Sequence, residues 1–242
     1  MNNTDPLKNI RVVLARPSHP GNIGAAARAM KTMGLAALHL VQPRLFPHVD
    51  ADVRAAGARD VLQHAQVHDN LADALGDCVL AVATSSRHRE LRHDVMEARA
   101  AARELVVAAA AHPVAIVFGN ETAGLSSEEA GLCQAWAAIP ANPAYASLNL
   151  ASAVQVFSYE LRMACGSGVA PQEPEFAPAT LAEVEQLYRH FEQSMTDSGF
   201  HDPLNPKRLL PRLRRLLARA RLEAEEVNLL RGFLRSTDNL RR

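Results

Sequence analysis

Two rhythms of apolar and polar residues alternate along positions 10–165. Short unbroken apolar runs occur at 10–16 (IRVVLAR), 37–43 (ALHLVQP), 78–85 (CVLAVATS), 113–119 (PVAIVFG) and 135–140 (AWAAIP). A strand with one wet face would carry a polar residue at every second position, so these runs predict strands buried on both sides. Between them, residues 22–34, 51–65, 69–77, 95–111, 126–134 and 148–164 are spaced as helices. Strands alternating with helices predict an α/β domain, a parallel sheet with helices on both faces. Ser126 or Ser127 is placed to cap the helix that begins there.

The pattern stops at residues 166–180, GSGVAPQEPEFAPAT, whose Gly, Pro and Ser content predicts a linker. Helical spacing resumes with Leu181, Val184, Leu187, Tyr188 and Phe191, and two more helices follow. The organisation expected is therefore a domain over 1–165, a linker over 166–180 and a helical extension over 181–242. The extension is too short to be expected to stand alone, and packing on the first domain or on a second subunit is expected.

Charge changes this picture locally. The 26 basic and 26 acidic residues cancel over the chain. Yet 207–221, KRLLPRLRRLLARAR, holds seven cations and no acid, and EAEE follows at 223–226. Two readings of the basic helix stay open. Lys207, Arg208, Arg212 and Arg215 contact nucleic-acid phosphates, or Leu209, Leu210, Leu213, Leu216 and Leu217 are buried and the charges are simply solvated or paired with the acidic EAEE. The three cysteines, Cys78, Cys133 and Cys165, form no CxxC pair, which speaks against a disulfide framework and a zinc site and for a reducing cytoplasm. No apolar run approaches the ~20 residues of a membrane span, and MNNTDPLKNI lacks a signal-peptide pattern.

Three stretches carry candidate chemistry. In HPGNIGAAARAMKTMG, Asn22 suits a helix N-cap, Gly21 and Gly24 permit close approach, and Arg28 is two turns into the helix. The segment is not G-x-G-x-x-G, and no acidic residue ends the second strand, so dinucleotide binding is disfavoured. Taken singly, Arg28 reads as a solvated helix residue. In VFGNETAGLS, Glu121 lies just past a strand end, where α/β sheets bind ligands, and an ordinary solvated turn is the alternative. In IPANPAYASLNLASAVQVFSYELR, two prolines force an extended loop, then Ser147 and Asn149 open an apolar helix as caps or ligand contacts.

In combination, these three stretches resemble motifs 1, 2 and 3 of the SPOUT superfamily of RNA 2'-O-ribose methyltransferases. The resemblance runs nearly continuously over 10–165, with Asn22 and Arg28 six residues apart and Glu121 and Asn149 twenty-eight apart. Within the superfamily the chain is most similar to the bacterial enzymes that modify the ribose of tRNA nucleotide 32, in the anticodon loop. The resemblance implies a sheet whose C-terminal part is threaded into a trefoil knot, a homodimer, and S-adenosyl-L-methionine as cofactor with no metal. It implies cofactor contacts at Thr84, Ser85, Ser86, Gly119, Ile139, Ala146, Ser147 and Leu148, largely through backbone groups, with Ala146 standing where serine is usual. It assigns Arg28, Asn22, Glu121 and Asn149 to the reacting nucleotide, with Glu121 orienting Arg28 or a ribose hydroxyl. Methylation of ribosomal RNA and non-catalytic RNA binding are the competing functions.

Overall fold

The apolar runs become the centre of a seven-stranded, all-parallel sheet in the computed structural model, which describes residues 5–85, 95–166 and 176–239. The first of two units, Met1–Gln172, opens with a 3₁₀ turn at Pro6–Asn9. It continues with β1 (Ile10–Ala15), α1 (Pro20–Thr32), β2 (Ala37–Val41), α2 (Val49–Ala55), α3 (Arg59–Gln63), β3 (Gln66–His68), α4 (Leu71–Leu75) and β4 (Leu80–Thr84). Then come β5 (Val95–Glu97), α5 (Ala98–Ala109), β6 (Val114–Phe118), α6 (Ser127–Gly131), β7 (Ala135–Ala138) and α7 (Leu150–Gly166).

The strand order is β3-β2-β1-β6-β4-β7-β5. All five runs read as strands from the sequence are strands, and β3 and β5 are additions of three residues each at the two edges of the sheet. The helix expected over 51–65 is broken. Ala56 takes φ 50°, a 3₁₀ turn covers Ala56–Ala58, and α3 begins afresh. The helix expected from residue 95 starts at Ala98, because the preceding three residues pair with β7.

Parallel pairing aligns the strands' C-terminal ends. Leu14 of β1 is level with Phe118 of β6, and Ala83 of β4 with both Val117 of β6 and Trp136 of β7. The loops that leave β1, β6, β4 and β7 therefore emerge at one edge, where open α/β sheets gather ligands. Below them the core is Val, Leu, Ile and Ala, with Phe118 set edge-on to Phe157 of α7 at 5.7 Å between ring centres. Among the helices, α1 packs against both α2 and α7, and α7 against α5. The α1–α2 contact is backbone to backbone, since a Cβ on Gly24 would fall 2.0 Å from the Ala51 carbonyl oxygen.

A polar pair, His39 buried and His68 half-buried, sits at the β2–β3 seam. His39 Nδ1 lies 2.9 Å from His68 Nε2, beside the ion pair of Arg11 and Asp77. One ring donates and the other accepts, which requires at least one neutral imidazole. Burial, with the Arg11 guanidinium nearby, pulls His39 from its ordinary 6.5 down to about 4, and burial lowers His68 as well. Between these two values the unfolded chain binds a proton that the native His39 does not. Native stability is thus complete above pH 6.5 and falls as pH drops toward 4, by on the order of 2 kcal/mol. Urea unfolding from pH 7 to pH 4 checks this, and His39→Leu should flatten that part of the profile.

The second unit, Glu173–Arg242, contains α8 (Leu181–Asp197), α9 (Leu209–Ala220) and α10 (Ala224–Asn239). Thr180 and Glu183 form a reciprocal cap on α8. Leu187, Val227 and Leu234 make a small core with Ala179, joined by Val184, Phe191, Leu217 and Leu230. Arg214 fastens α9 by donating to both carboxylate oxygens of Glu185, at 2.6 and 2.8 Å, with its guanidinium 4.3 Å from the Tyr188 ring centre. No residue of α9 is fully buried, and Leu216 is 54% exposed, so the reading in which its five leucines are all buried does not hold. Lys207, Arg208 and Arg212 are exposed and Arg215 is half-buried. Among the described residues, no helix is long and apolar enough to cross a membrane.

Candidate active site

The three motif-bearing stretches meet at the C-terminal edge of the sheet, and Glu121 is where they join. Its Oε2 accepts from the Ser18 backbone N–H (2.9 Å) and hydroxyl (2.8 Å). Its Oε1 accepts from Asn22 Nδ2 (2.9 Å) and the His19 backbone N–H (3.3 Å). Asn22 Oδ1 in turn accepts from Asn149 Nδ2 at 3.1 Å. Asn149 Oδ1 receives the Ala151 N–H at 3.0 Å, capping α7. One hydrogen-bonded chain thus ties the loop after β1, the loop after β6 and the head of α7. Burial raises the Glu121 carboxyl, but the hydrogen bonds from Asn22 and Ser18 outweigh it, and the net displacement is downward, which keeps Glu121 ionised.

Local sequence explains the geometry. Pro20 occupies the first turn of α1, where a missing N–H costs nothing. The cap expected at Asn22 lies instead at His19, whose Nδ1 accepts from the Gly21 N–H at 3.1 Å. Asn22, one turn inside, is left to bridge Glu121 and Asn149. In the loop after β6, Asn120 Oδ1 accepts from the Thr122 and Ala123 N–H groups (2.9 and 3.1 Å), and its Nδ2 donates to the Arg16 carbonyl at 2.8 Å. Gly119 is needed because a Cβ there would fall 2.2 Å from the Leu125 nitrogen. Arg16 donates to both carboxylate oxygens of Glu129 (2.8 and 2.6 Å), and Glu129 also closes the cap of α6 with Ser126. Of the two serines considered, Ser126 is the cap. Ser18, Arg16, Asn120 and Glu129 were not singled out from the sequence. Only the Asn120 turn had a readable signal, the Gly-Asn-x-x-x-Gly pattern.

Beside this network lies a cavity of about 330 Å³, within the range of small-molecule sites. Thr84, Ser85, Gly119, Ile139, Ala146, Ser147 and Leu148 all line it, with Glu121 and the apolar Phe118, Leu150 and Phe157. Thr84 Oγ1 donates to the Val117 carbonyl, and the Ser85 N–H to the Ala137 carbonyl, each at 3.0 Å. Ser86 lies outside the described residues. The backbone groups of Ala146, Ser147 and Leu148 find no hydrogen-bond partner among the described residues. A wall of side chains with unpaired amides and carbonyls beside it suits a flat heterocycle held by its edge. The residues present therefore fit the adenosine part of S-adenosylmethionine. Among the described residues, no group of three or more His, Cys, Asp or Glu is placed to hold a metal.

Arg28 is not brought into the cavity lining. It stands on the exposed side of α1, about 9 Å along the axis from Asn22, with no hydrogen bond or ion pair among the described residues. Glu121 does not orient it, because four donors already occupy both carboxylate oxygens. The cysteines take no part: Cys78 and Cys133 are buried, and burial pushes both thiols up to about 12.

Comparison with known proteins agrees in extent and in kind. Residues 9–159 match the SpoU rRNA Methylase family, and residues 182–242 match the C-terminal domain of the tRNA methyltransferase TrmJ. The tRNA (cytidine/uridine/adenosine-2'-O-)-methyltransferase TrmJ of Pseudomonas aeruginosa is 44% identical, over 98% of this chain and 96% of that protein. The tRNA (cytidine/uridine-2'-O-)-methyltransferase TrmJ of Cronobacter sakazakii is 45% identical, over 97% of this chain and 98% of that protein. The crystal structure of TrmJ from Z. mobilis superposes with a TM-score of 0.83 at 34% identity, covering 94% of this chain and 98% of that one. With its whole sheet and Asn22, Arg28, Glu121 and Asn149 inside the match, the chain belongs to the SpoU methylase family, in its TrmJ branch.

Proposed function

We propose that this protein is a tRNA 2'-O-methyltransferase that uses S-adenosylmethionine to modify the ribose of a cytidine or uridine at nucleotide 32 of the anticodon loop, acting as a cytoplasmic homodimer. The observation that carries this reading is the chain Asn149–Asn22–Glu121–Ser18, which joins the three motif segments beside a cavity that Glu121 lines and whose backbone groups at 146–148 find no hydrogen-bond partner among the described residues. Family membership and the TrmJ-type C-terminal match favour tRNA over ribosomal RNA. In this reading the segments at Thr84–Ser85, Gly119 and Ile139–Leu148 are the loops of the trefoil knot.

S-adenosylmethionine, when bound, supplies an electrophilic methyl group on a sulfonium. Ile139 and Leu148, which line the cavity, would hold its adenine, and the amides and carbonyls of 146–148 would supply hydrogen bonds to it. Glu121 does its work through the loops, fixing Ser18, His19 and Asn22 so that the ribose is held in line with the donor. The 2'-hydroxyl must release its proton to solvent as the new bond forms. An arginine with a pKa above ~12 is a poor proton acceptor. Arg28 instead grips the neighbouring phosphate and stabilises the charge developing on the 2'-oxygen. Its exposure on α1 makes it available to substrate arriving from solvent and, in the dimer, to a site completed across the subunit interface. Lys207, Arg208, Arg212 and Arg215 supply further phosphate contacts from the second unit.

The test is methyl incorporation into unmodified tRNA transcripts. One methyl group per transcript is expected, with an alkali-resistant linkage after nucleotide 32 and none when that nucleotide is 2'-deoxy. Incorporation only into ribosomal RNA, or binding without transfer, would overturn the reading. In the same assay, Arg212→Gln with Arg215→Gln should lower the dependence of log affinity on log salt by about 1 to 2.

A further inference from the structure

Tyr145 is 80% exposed, on a loop built for rigidity immediately before the cavity-lining residues 146–148. Pro140 and Pro143 fix two backbone angles in this loop. Asn142 folds the rest: its Oδ1 accepts from the Ala144 N–H at 3.0 Å, and its carbonyl accepts from the Tyr145 N–H at 2.9 Å. The loop leaves β7, which ends at Ala138 in the sheet, and three residues after the cavity-facing Ala146 its far end is held by Asn149 bound to Asn22. The ring itself has no hydrogen bond, ring contact or cation partner among the described residues. A constrained loop that holds a large aromatic ring in water, one residue before the lining of a site for a nucleoside donor, has the form of a stacking platform.

We infer that Tyr145 is a substrate-positioning residue on which the base of the target nucleotide stacks. The inference rests on the function proposed above and adds what holds the base. To reach a methyl donor in the cavity, the target ribose must be drawn out of the anticodon-loop stack, and its base then loses its neighbours. An aromatic face restores that stacking, and because every base has a π face it does so without choosing between pyrimidines. Tyr145 therefore fixes where the nucleotide sits and leaves the base edge unread.

Tyr145→Ala, Tyr145→Phe and Tyr145→Trp, assayed in the full-length protein, test this. For Tyr145→Ala, kcat/KM for tRNA should fall about 10- to 100-fold, while S-adenosylmethionine affinity by calorimetry and the oligomeric state by light scattering stay as in the wild type. Tyr145→Phe should restore activity to within about twofold. In Tyr145→Trp, indole fluorescence should be quenched by tRNA transcript and not by S-adenosylmethionine. A transcript abasic at nucleotide 32 should lose activity with the wild type and lose no more with Tyr145→Ala, the signature of a shared interaction. The inference is overturned if Tyr145→Ala keeps full activity, if Phe fails to rescue, or if the substitution changes assembly or cofactor affinity. A wild type that transfers no methyl to tRNA overturns the proposed function itself. An active wild type with an indifferent Tyr145 overturns this inference alone.

Discussion

Arg28→Ala is expected to lower kcat for tRNA methylation by about 10²- to 10³-fold, the usual cost of removing a group that stabilises charge in the transition state. The structure makes this a clean substitution. The side chain is exposed and holds no partner among the described residues, so no buried group is orphaned by its loss. Alanine is also the better helix former. Folding stability should stay within about 0.5 kcal/mol of the wild type, and S-adenosylmethionine should bind unchanged, because Arg28 does not line the cavity. Arg28→Lys should recover only part of the rate, since an ammonium keeps the charge and loses the two-point grip on phosphate. Thermal unfolding, cofactor calorimetry and single-turnover methyl transfer measure the three quantities separately. Near-wild-type turnover by Arg28→Ala would remove this residue from the mechanism.

The second large effect is expected at Gly119→Ala. The added methyl would meet the Leu125 nitrogen at 2.2 Å and the Gly124 carbonyl carbon at 2.3 Å, both backbone atoms that cannot rotate away. The loop must open to admit it. Opening disturbs the bridge between Asn120 and Gly124 and the Gly124 N–H bond to the Asn120 carbonyl (2.8 Å). It also shifts Glu121, next but one in the chain. Overpacking of this kind costs about 1–3 kcal/mol or more. The expected result is a clear fall in Tm together with loss of measurable cofactor binding. Gly131→Ala, where a Cβ meets nothing within 4 Å, serves as the control and should leave both unchanged.

How much of this was legible beforehand depended on length and on locality. The five central strands announce themselves because burial on both faces demands continuous apolar residues, as in Val114–Phe118. β3 and β5 do not: three residues long and at the sheet's edges, Gln66–His68 and Val95–Glu97 have too few positions to show any period. The break at Ala56 lay hidden inside an acceptable helical pattern beside Gly57. The Ser126 cap was readable because its partners are within three residues. The partners of Glu121 were not. They lie about a hundred positions away, and no local rule tells a carboxylate that orients an arginine from one that gathers Ser18, His19 and Asn22. The same holds for the Arg16–Glu129 pair. Resemblance points to Thr84, Ser85, Gly119, Ile139 and 146–148 but not to Phe118, Leu150 or Phe157, and only the folded chain shows that they surround one space.

The contact between Gly24 and the Ala51 carbonyl has a bearing on catalysis that reaches past packing. Where two helices touch main chain to main chain, α1 cannot move closer to α2 without a backbone clash. The segment that carries Arg28 therefore has no room to shift toward α2 when RNA docks. Its guanidinium can swing on its own methylenes, but its base is a fixed mount. On that side the fit to substrate is left to the reach of the Arg28 side chain itself and to the nucleic acid, and the helix enters the encounter already close to its final place.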